Sequence, residues 1–218
     1  MGGCLVWCIY GRICDWEMEE VKVLVACEFS GIVRDAFAHR GHDAWSCDLL
    51  PSESLGNHIK GDVIEILDNG WDLMIAHPPC THLAVSGAAW FKYKKKEQEE
   101  ALNFVRFLLN SDIPMIALEN PVSIISTRIR KPDQIIQPYQ FGDSFSKKTC
   151  LWLKNLPKLT PTLIVDKGET VLFKSGKSMP KWYAEAFKLP KDERERIRSR
   201  TFKGIAEAMA EQWGRLND

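Results

Sequence analysis

The sequence has no excess of charge of either sign and no long apolar run. Its 29 Lys and Arg residues balance 29 Asp and Glu residues, so the net charge does not indicate a nucleic-acid partner. No stretch approaches the roughly 20 apolar residues that span a bilayer. The apolar stretch 4–10 lacks the positive charge before it and the small-residue cleavage site after it that mark a signal peptide. These absences predict a soluble, cytoplasmic protein that has no membrane partner.

Paired cysteine motifs are also missing. The 7 cysteines are an odd number, and no export signal accompanies them, so we expect no disulfide framework. Cys4, Cys8 and Cys14 lie close together, but no Cys-x-x-Cys or His-x-x-x-His follows them to complete a zinc site. We therefore predict that the protein holds no metal.

The composition is that of one globular domain. Apolar residues make up 45% and charged residues 27% of the 218 positions, which excludes a disordered chain. The stretch from Met18 leads directly into a first strand. We predict that residues 1–17 are a dispensable extension and that residues 18–218 form a single domain.

Short apolar runs alternate with stretches of helical periodicity. The apolar runs predict strands over 21–27, 43–48, 71–76, 113–118 and 149–153, with a short element over 62–67. Helical spacing predicts helices over 33–40, 95–109 and 201–213. This alternation is typical of an α/β fold built from βαβ units around a mostly parallel sheet.

Chemistry-bearing residues follow four of these strands. They are the segments 28–31, 48, 77–80 and 119–121, with Gly61-Asp62 as a further candidate. Ligands of open parallel sheets bind beyond the carboxyl ends of the strands. A glycine there lets backbone approach a ligand, and a carboxylate such as Asp48 can hold ribose hydroxyls. Each feature alone is common in ordinary turns, but their order favours a nucleoside-bearing cofactor.

Cys80 is the sharpest local signal. The two prolines before it fix the backbone after a buried strand and hold the thiol at the sheet edge. The thiol is either a nucleophile or a packed core group. His77 and His82 flank it, and each is either a modulator of the thiol pKa or a structural residue.

Glu119 is the second unusual residue because it follows the apolar run 113–118, where an unpaired carboxylate is costly. One interpretation has backbone amides or a lysine satisfy it. The other has burial keep it partly protonated, so that it holds a proton against a ring nitrogen. One helix and one strand separate Cys80 from Glu119, so both can project into one crevice.

The order of these motifs resembles the cytosine-5 DNA methyltransferase family. The matching segments are Phe29-Ser-Gly31, Asp48, Gly61-Asp62-Val63, Pro79-Cys80, Glu119-Asn120 and the helix from Phe202. The resemblance implies a Rossmann-like class I S-adenosylmethionine-dependent methyltransferase fold, with helices on both faces of a mostly parallel sheet. It implies Cys80 and Glu119 as catalytic residues, and S-adenosylmethionine bound by Phe29, Gly31, Asp48, Asp62 and Pro79. The expected substrate is cytosine in DNA, single-stranded or flipped, in a bacterium or a phage-infected host cell.

The sequence departs from that family in three places. Ile32-Val33 replaces the second glycine of the first loop, and Lys147 or Lys148 stands where the family has a base-contacting arginine. Few residues separate the last strand from the last helix, so no target-recognition domain is evident. The chain resembles a minimal, phage-type member, so we expect it to bind DNA mainly through phosphates, with weak sequence preference. A protein partner for target recognition and a free pyrimidine nucleotide as the substrate are the alternatives.

Two further questions stay open from the sequence. Basic runs at 92–96, 128–131 and 194–203 are either phosphate contacts or solvated surface. The segment His77-Pro-Pro-Cys80 is also related to the Asp-Pro-Pro-Tyr loop of amino-methyltransferases, although it lacks that loop's acceptor and its stacking aromatic. A catalytically silent DNA- or nucleotide-binding protein with this fold is the remaining alternative.

Overall fold

The computed structural model describes residues 20–174, 176 and 178–215. The predicted extension over 1–17, with Cys4, Cys8 and Cys14, lies outside the described residues, and its dispensability stays a prediction. Among the described residues, no helix is long and apolar enough to cross a membrane. In the same part of the chain, no group of three or more His, Cys, Asp or Glu side chains could hold a metal ion.

Seven strands form the main sheet. They are β1 (Lys22–Ala26), β2 (Asp43–Asp48), β3 (His58–Lys60), β4 (Leu73–Ala76), β5 (Met115–Pro121), β6 (Gln134–Ile136) and β7 (Thr149–Lys154). Their order is β3-β2-β1-β4-β5-β7-β6. The first five strands in that order run parallel, whereas β7 is antiparallel to both of its neighbours. Two short strands, β8 (Thr170–Leu172) and β9 (Ser178–Pro180), pair separately.

Helices cover both faces of this sheet. They are α1 (Ile32–Ala38), α2 (Lys95–Leu109), α3 (Ile125–Arg128), α4 (Lys181–Ala186), α5 (Lys191–Ser199) and α6 (Lys203–Trp213). Three 3-10 segments accompany them, at Val63–Ile66, Val85–Tyr93 and Pro138–Gln140.

The side chains of β1 alternate between two apolar cores. Val23 and Val25 pack in the core that contains Phe37 of α1 and Met209 of α6. Leu24 and Ala26 of the same strand pack in the other core, together with Leu102, Val105 and Leu108 of α2. Because both faces of the parallel strands are covered, the strands read as continuous apolar runs in the sequence.

This strand order, with one antiparallel strand between β5 and β6, confirms the predicted Rossmann-like class I methyltransferase fold. The predictions of β2 and α2 match the structure at every residue, and α6 begins two residues later than predicted. Among the predicted strands the largest difference is β5, which continues to Pro121, because Glu119 pairs with Leu151 of β7 and Pro121 pairs with Thr149. Glu119 and Asn120 therefore lie inside a strand and not after one. Helices α3, α4 and α5 were not predicted.

Candidate active site

The first loop, between β1 and α1, is held by a buried carboxylate. Glu28 accepts hydrogen bonds from the backbone N–H groups of Val33 at 2.8 Å and Arg34 at 3.2 Å. These N–H groups belong to the first turn of α1, which has no partners for them within the helix. The carboxylate thus caps α1, and Gly31 makes the tight turn between them with a φ of 74°.

Gly31 allows a close approach, but the approaching groups belong to the chain itself. A Cβ atom at this position would overlap the Ser54 hydroxyl and the Arg34 guanidinium. Sequence reasoning predicted that the glycine makes room for a ligand. The structure shows that it makes room for the loop after β2, so its assignment to cofactor binding stays a prediction without support from this contact.

Hydrogen bonds from Arg34 hold the loop after β2 in this position. Its guanidinium is buried at 1% exposure and donates hydrogen bonds to Ser46, Ser52 and Ser54 and to the carbonyl of Leu55, at 2.6–3.1 Å. A buried cation requires such partners. Sequence analysis missed this residue, because nothing local distinguishes a buried arginine on a short helix from an exposed one.

Two carboxylates flank the end of β1. Asp48 ends β2 and accepts a hydrogen bond from Leu50 N at 2.9 Å, while Asp62 accepts one from Ile64 N at 3.0 Å and caps the 3-10 segment that follows. Both act on Cys27, directly after β1. Burial and the negative charge of Asp48, with smaller effects of Cys47 and Asp62, raise the pKa of the Cys27 thiol to about 12. The structure therefore brings together Asp48, which was predicted to bind the ribose, and Asp62 of the segment predicted to hold the adenine.

The turn that carries Cys80 is fastened at both ends. His77 N donates to the carbonyl of Ala26 at 2.9 Å and continues the pairing of β4 with β1. Leu83 N and Ala84 N donate to the carbonyl of Cys80 at 3.0 and 2.9 Å. Pro78 is buried, whereas Pro79 and Cys80 are exposed at the crevice.

Asn120 provides the link from β5 to this turn. Its side chain is buried at 1% exposure, and its Nδ2 donates to the carbonyl of Pro78 at 2.9 Å. Adjacent strand residues point to opposite sides. Glu119 and Asn120 therefore have different roles, and Asn120 positions the Cys80 turn through its hydrogen bond to the carbonyl of Pro78.

Replacing Asn120 with alanine should destabilise the protein by about 1–3 kcal/mol, because the Pro78 carbonyl would be left buried without its donor. Urea unfolding measures this change. Asn103→Ala on α2 is the matched control, since its exposed side chain accepts only from Arg106, and a change of about 0.5 kcal/mol or less is expected there. Equal effects of the two substitutions would contradict a positioning role for Asn120.

Glu119 lies in an environment that favours its charged form. Its side chain is 15% exposed, and Oε2 is 3.6 Å from His77 Nδ1, a separation too long for a hydrogen bond. Burial raises the pKa of Glu119, but His77, the positive charge of Lys147 and the Thr149 hydroxyl outweigh it and hold the pKa below its ordinary value. Of the two interpretations, this direction favours a carboxylate satisfied by a lysine over a carboxyl kept partly protonated by burial.

Lys147 also acts on Cys80, but the pKa of this thiol is raised, whereas that of Glu119 is lowered. Partial burial of the thiol and the negative charge of Glu119 raise the Cys80 pKa, while Lys147 and Arg198 oppose that rise. The structure thus brings Cys80 and Glu119 into one crevice and places two cations around them. In the free protein the proton resides on the sulfur and the negative charge on the carboxylate.

Lys147, and not Lys148, is the lysine that reaches this crevice. Its Nζ donates to the carbonyl of Arg198 at 3.0 Å, and its charge acts on both Cys80 and Glu119. Lys148 is exposed and acts on Cys150.

Arg198 of α5 is a site residue that sequence analysis included only within a basic run. Its guanidinium donates to the Tyr183 hydroxyl at 2.5 Å and lies 4.6 Å from the centre of that ring. Its Nε is buried and has no hydrogen-bond partner in the described part of the chain. No local signal could single it out, because its proximity to Cys80 depends on how α5 folds back over the sheet.

A small cavity of ≈ 60 Å³ joins the first loop to the end of α5. Its walls include Phe29, Ser30, His77, Arg200 and Thr201. The Phe29 carbonyl accepts from Glu53 N at 2.8 Å, and the Glu53 carboxylate forms ion pairs with Arg196 and Arg200. The segment around α5 therefore closes one side of the crevice.

Comparison with known proteins adds little to this geometry. No protein-family model matches the chain, and no curated protein sequence matches it significantly. One similar solved structure is a protein assigned as a DNA modification methyltransferase, encoded within an E. coli prophage, with 14% identity and a TM-score of 0.45. The match covers 67% of this chain and 52% of that protein, so this chain spans about half of its length. At this similarity, what is known of the fold rests on the strand order.

Proposed function

We propose that the protein transfers a methyl group from S-adenosylmethionine to carbon 5 of cytosine in DNA, through a covalent adduct with Cys80. The observation that carries this proposal is that the negative charge of Glu119 in β5 acts on the Cys80 thiol in the turn after β4, with Lys147 and Arg198 nearby. Fold alone does not imply function. A thiol nucleophile near a carboxylate that can accept its proton, at the ligand edge of an α/β sheet, is a specific chemical arrangement.

The residues beside the end of β1 fit an adenosine-bearing cofactor. Asp48 and Asp62 supply carboxylate oxygens, and Leu49 and Leu50 expose apolar surface next to them at 72% and 53% exposure. Carboxylates bind ribose hydroxyls, and apolar side chains cover an adenine ring. The cavity at Phe29 encloses only ≈ 60 Å³, so most of the cofactor would lie along the open surface at Asp48 and Asp62. When bound, S-adenosylmethionine supplies an electrophilic methyl group.

Asp48→Ala should weaken S-adenosylmethionine binding by about 1.5–3 kcal/mol, or roughly 10- to 150-fold, because the ribose hydroxyls lose a charged acceptor. Isothermal titration calorimetry measures the change. Asp68→Ala, an exposed carboxylate beyond the 3-10 segment Val63–Ile66, should bind as tightly as the wild type. Unchanged affinity of the Asp48 variant would remove this residue from the site.

The charges on Cys80 and Glu119 suggest how the first step proceeds. Cytosine carbon 5 is a poor nucleophile until a thiolate adds to carbon 6 and turns the ring into an enamine. The thiol proton passes to the Glu119 carboxylate, and Glu119 then donates it to ring nitrogen 3 as negative charge develops there. This transfer is unfavourable in the free protein, since the thiol pKa is raised and the carboxyl pKa is lowered. The proton transfer becomes favourable because nitrogen 3 of the cytosine ring takes up the proton.

Lys147 and Arg198 support this step by stabilising the thiolate while the proton moves. After methyl transfer, water takes the carbon 5 proton, the C–S bond breaks with its electrons on the sulfur, and Glu119 takes back the nitrogen 3 proton. The target base must leave its stack to reach Cys80, so a single-stranded or flipped cytosine is required.

Transfer of labelled methyl groups from S-adenosylmethionine to cytosine-containing DNA, followed by nucleoside analysis, tests the proposal. The expected product is 5-methylcytosine. A methyl group on an exocyclic amine would support the amino-methyltransferase alternative, and methylation of free cytidine nucleotides but not of DNA would support a nucleotide-modifying enzyme. Cofactor binding without any methyl transfer would support a catalytically silent binding protein.

A further inference from the structure

The segment Val85–Tyr93 exposes aromatic side chains to an unusual degree. It is a nine-residue 3-10 segment, and Trp90 and Tyr93 are 65% and 69% exposed. Large aromatic side chains are usually well buried, and those left on a surface commonly mark a binding site. We call this segment, together with Lys94–Lys96, the aromatic arm.

The arm begins next to the turn that carries Cys80, since Ala84 N donates to the carbonyl of Cys80 at 2.9 Å. It is fastened to the segment just beyond β5, because Val85 N donates to the carbonyl of Val122 at 3.0 Å and Ala84 forms a bridge with Ser123. A 3-10 segment rises about 2 Å per residue, so Trp90 lies about 10 Å along the arm from Val85. This position suits contact with nucleotides that flank a target base.

Cations accompany the aromatic rings. The Lys92 ammonium lies 4.7 Å from the centre of the Tyr93 ring, and Lys94, Lys95 and Lys96 are all exposed. Exposed rings next to lysines are the combination that binds single-stranded nucleic acid, in which bases stack on the rings and phosphates contact the cations. In a duplex the base faces are already covered by neighbouring bases, so the rings would find no partner.

We infer that the aromatic arm binds the unpaired nucleotides that flank the target cytosine, with Trp90 stacking on a base and the lysines contacting phosphates, so that the substrate is single-stranded DNA. The inference rests on the proposed function for the position of the target base. It goes beyond that function by naming the state of the DNA and the surface that selects it.

The first test measures binding of a fluorescein-labelled 12-nucleotide single strand that contains one cytosine, by anisotropy and without cofactor. Trp90→Ala should weaken binding about 5- to 150-fold, whereas Trp90→Phe should keep most of the affinity because a phenyl ring still stacks. Phe107→Ala on α2 is the matched control. It removes an aromatic side chain that is 49% exposed, in a groove lined by Asp68, Asp112 and Arg106 and not by a run of lysines.

A second oligonucleotide separates the contribution of base stacking to binding from the contribution of phosphate contacts. In it the nucleotides that flank the cytosine are abasic, so their phosphates remain but their bases are gone. The wild type and Trp90→Ala should bind this strand equally. Equal binding of the intact strand by both proteins, or equal affinity of the wild type for the strand and for its duplex, would overturn the inference.

These outcomes are independent of methyl transfer. If 5-methylcytosine forms but Trp90→Ala binds the intact strand normally, the inference fails and the proposed function stands. If the anisotropy results are as expected but no methyl transfer occurs, the proposed function fails and the single-strand surface stands. The unfolding midpoint of Trp90→Ala, measured in urea, should match that of Phe107→Ala, which excludes misfolding as the cause.

Discussion

Cys80→Ser is expected to abolish formation of a covalent complex between the protein and DNA that contains 5-fluorocytosine. In the wild type, the Cys80 sulfur adds to carbon 6 and the methyl group is transferred to carbon 5. Fluorine at that carbon cannot leave as a proton does, so the C–S bond persists. A hydroxyl is a much weaker nucleophile than a thiolate at neutral pH. The complex is detected by denaturing gel electrophoresis after incubation with S-adenosylmethionine.

Cys150→Ala is the control for this experiment. Cys150 is a second thiol near Glu119, but it is buried in β7 at 1% exposure, and burial raises its pKa. This variant should still form the complex. If Cys80→Ser methylated cytosine as well as the wild type does, the covalent mechanism would be wrong.

Glu119→Gln should change two rates in opposite directions. Methyl transfer should fall about 10²- to 10⁴-fold, because the proton for ring nitrogen 3 is lost. Alkylation of Cys80 by iodoacetamide should become faster at any pH below the thiol pKa. The reason is that Glu119 helps to raise the pKa of Cys80, so its neutralisation lowers that pKa and increases the thiolate fraction.

The two rates are measured on the same preparations, and Cys80→Ser gives the alkylation background from the other cysteines. Arg198→Ala is the opposing variant: its charge favours the thiolate, so its loss should slow alkylation. Faster alkylation reports the charge of Glu119 near the thiol, and the fall in methyl transfer reports its role in proton transfer. Unchanged rates in Glu119→Gln would remove this residue from the mechanism.

Sequence periodicity was sufficient for the central strands and for α1, α2 and α6, because the parallel sheet is apolar on both faces. It missed α3, α4 and α5, and α5 has no buried residue that could give it an apolar face. It placed the end of β5 at Leu118, since the apolar pattern stops there. The strand continues through Glu119 and Asn120 because the antiparallel partner β7 supplies hydrogen bonds as far as Pro121. Backbone hydrogen bonds of this kind do not depend on side-chain hydropathy, so the hydropathy pattern does not reveal them. The short strands β3, β6, β8 and β9 were missed for a related reason, as each has only three residues.

From the sequence, the electrostatics of the site could be stated only as two alternatives. The run before Glu119 indicated burial, and burial alone raises a carboxyl pKa. The opposite direction follows from His77 and Lys147, which tertiary folding brings together from the end of β4 and the start of β7. The choice between Lys147 and Lys148, and the approach of Arg198, likewise depend on contacts between distant segments.

The extension of β5 also sets a difference in rigidity across the site. Glu119 is held in a backbone ladder with Leu151, inside a seven-stranded sheet, whereas residues 86–93 of the aromatic arm form a 3-10 segment without buried residues, between the attachment at Val85 and the start of α2. Amide hydrogens in buried central strands exchange with solvent only through large openings, while those of exposed short segments exchange through local ones. In hydrogen–deuterium exchange, the amides of β5 should therefore stay protected for far longer than those of residues 86–93. Deuterium uptake in that second group should fall when a single-stranded oligonucleotide binds, while uptake in β5 stays the same.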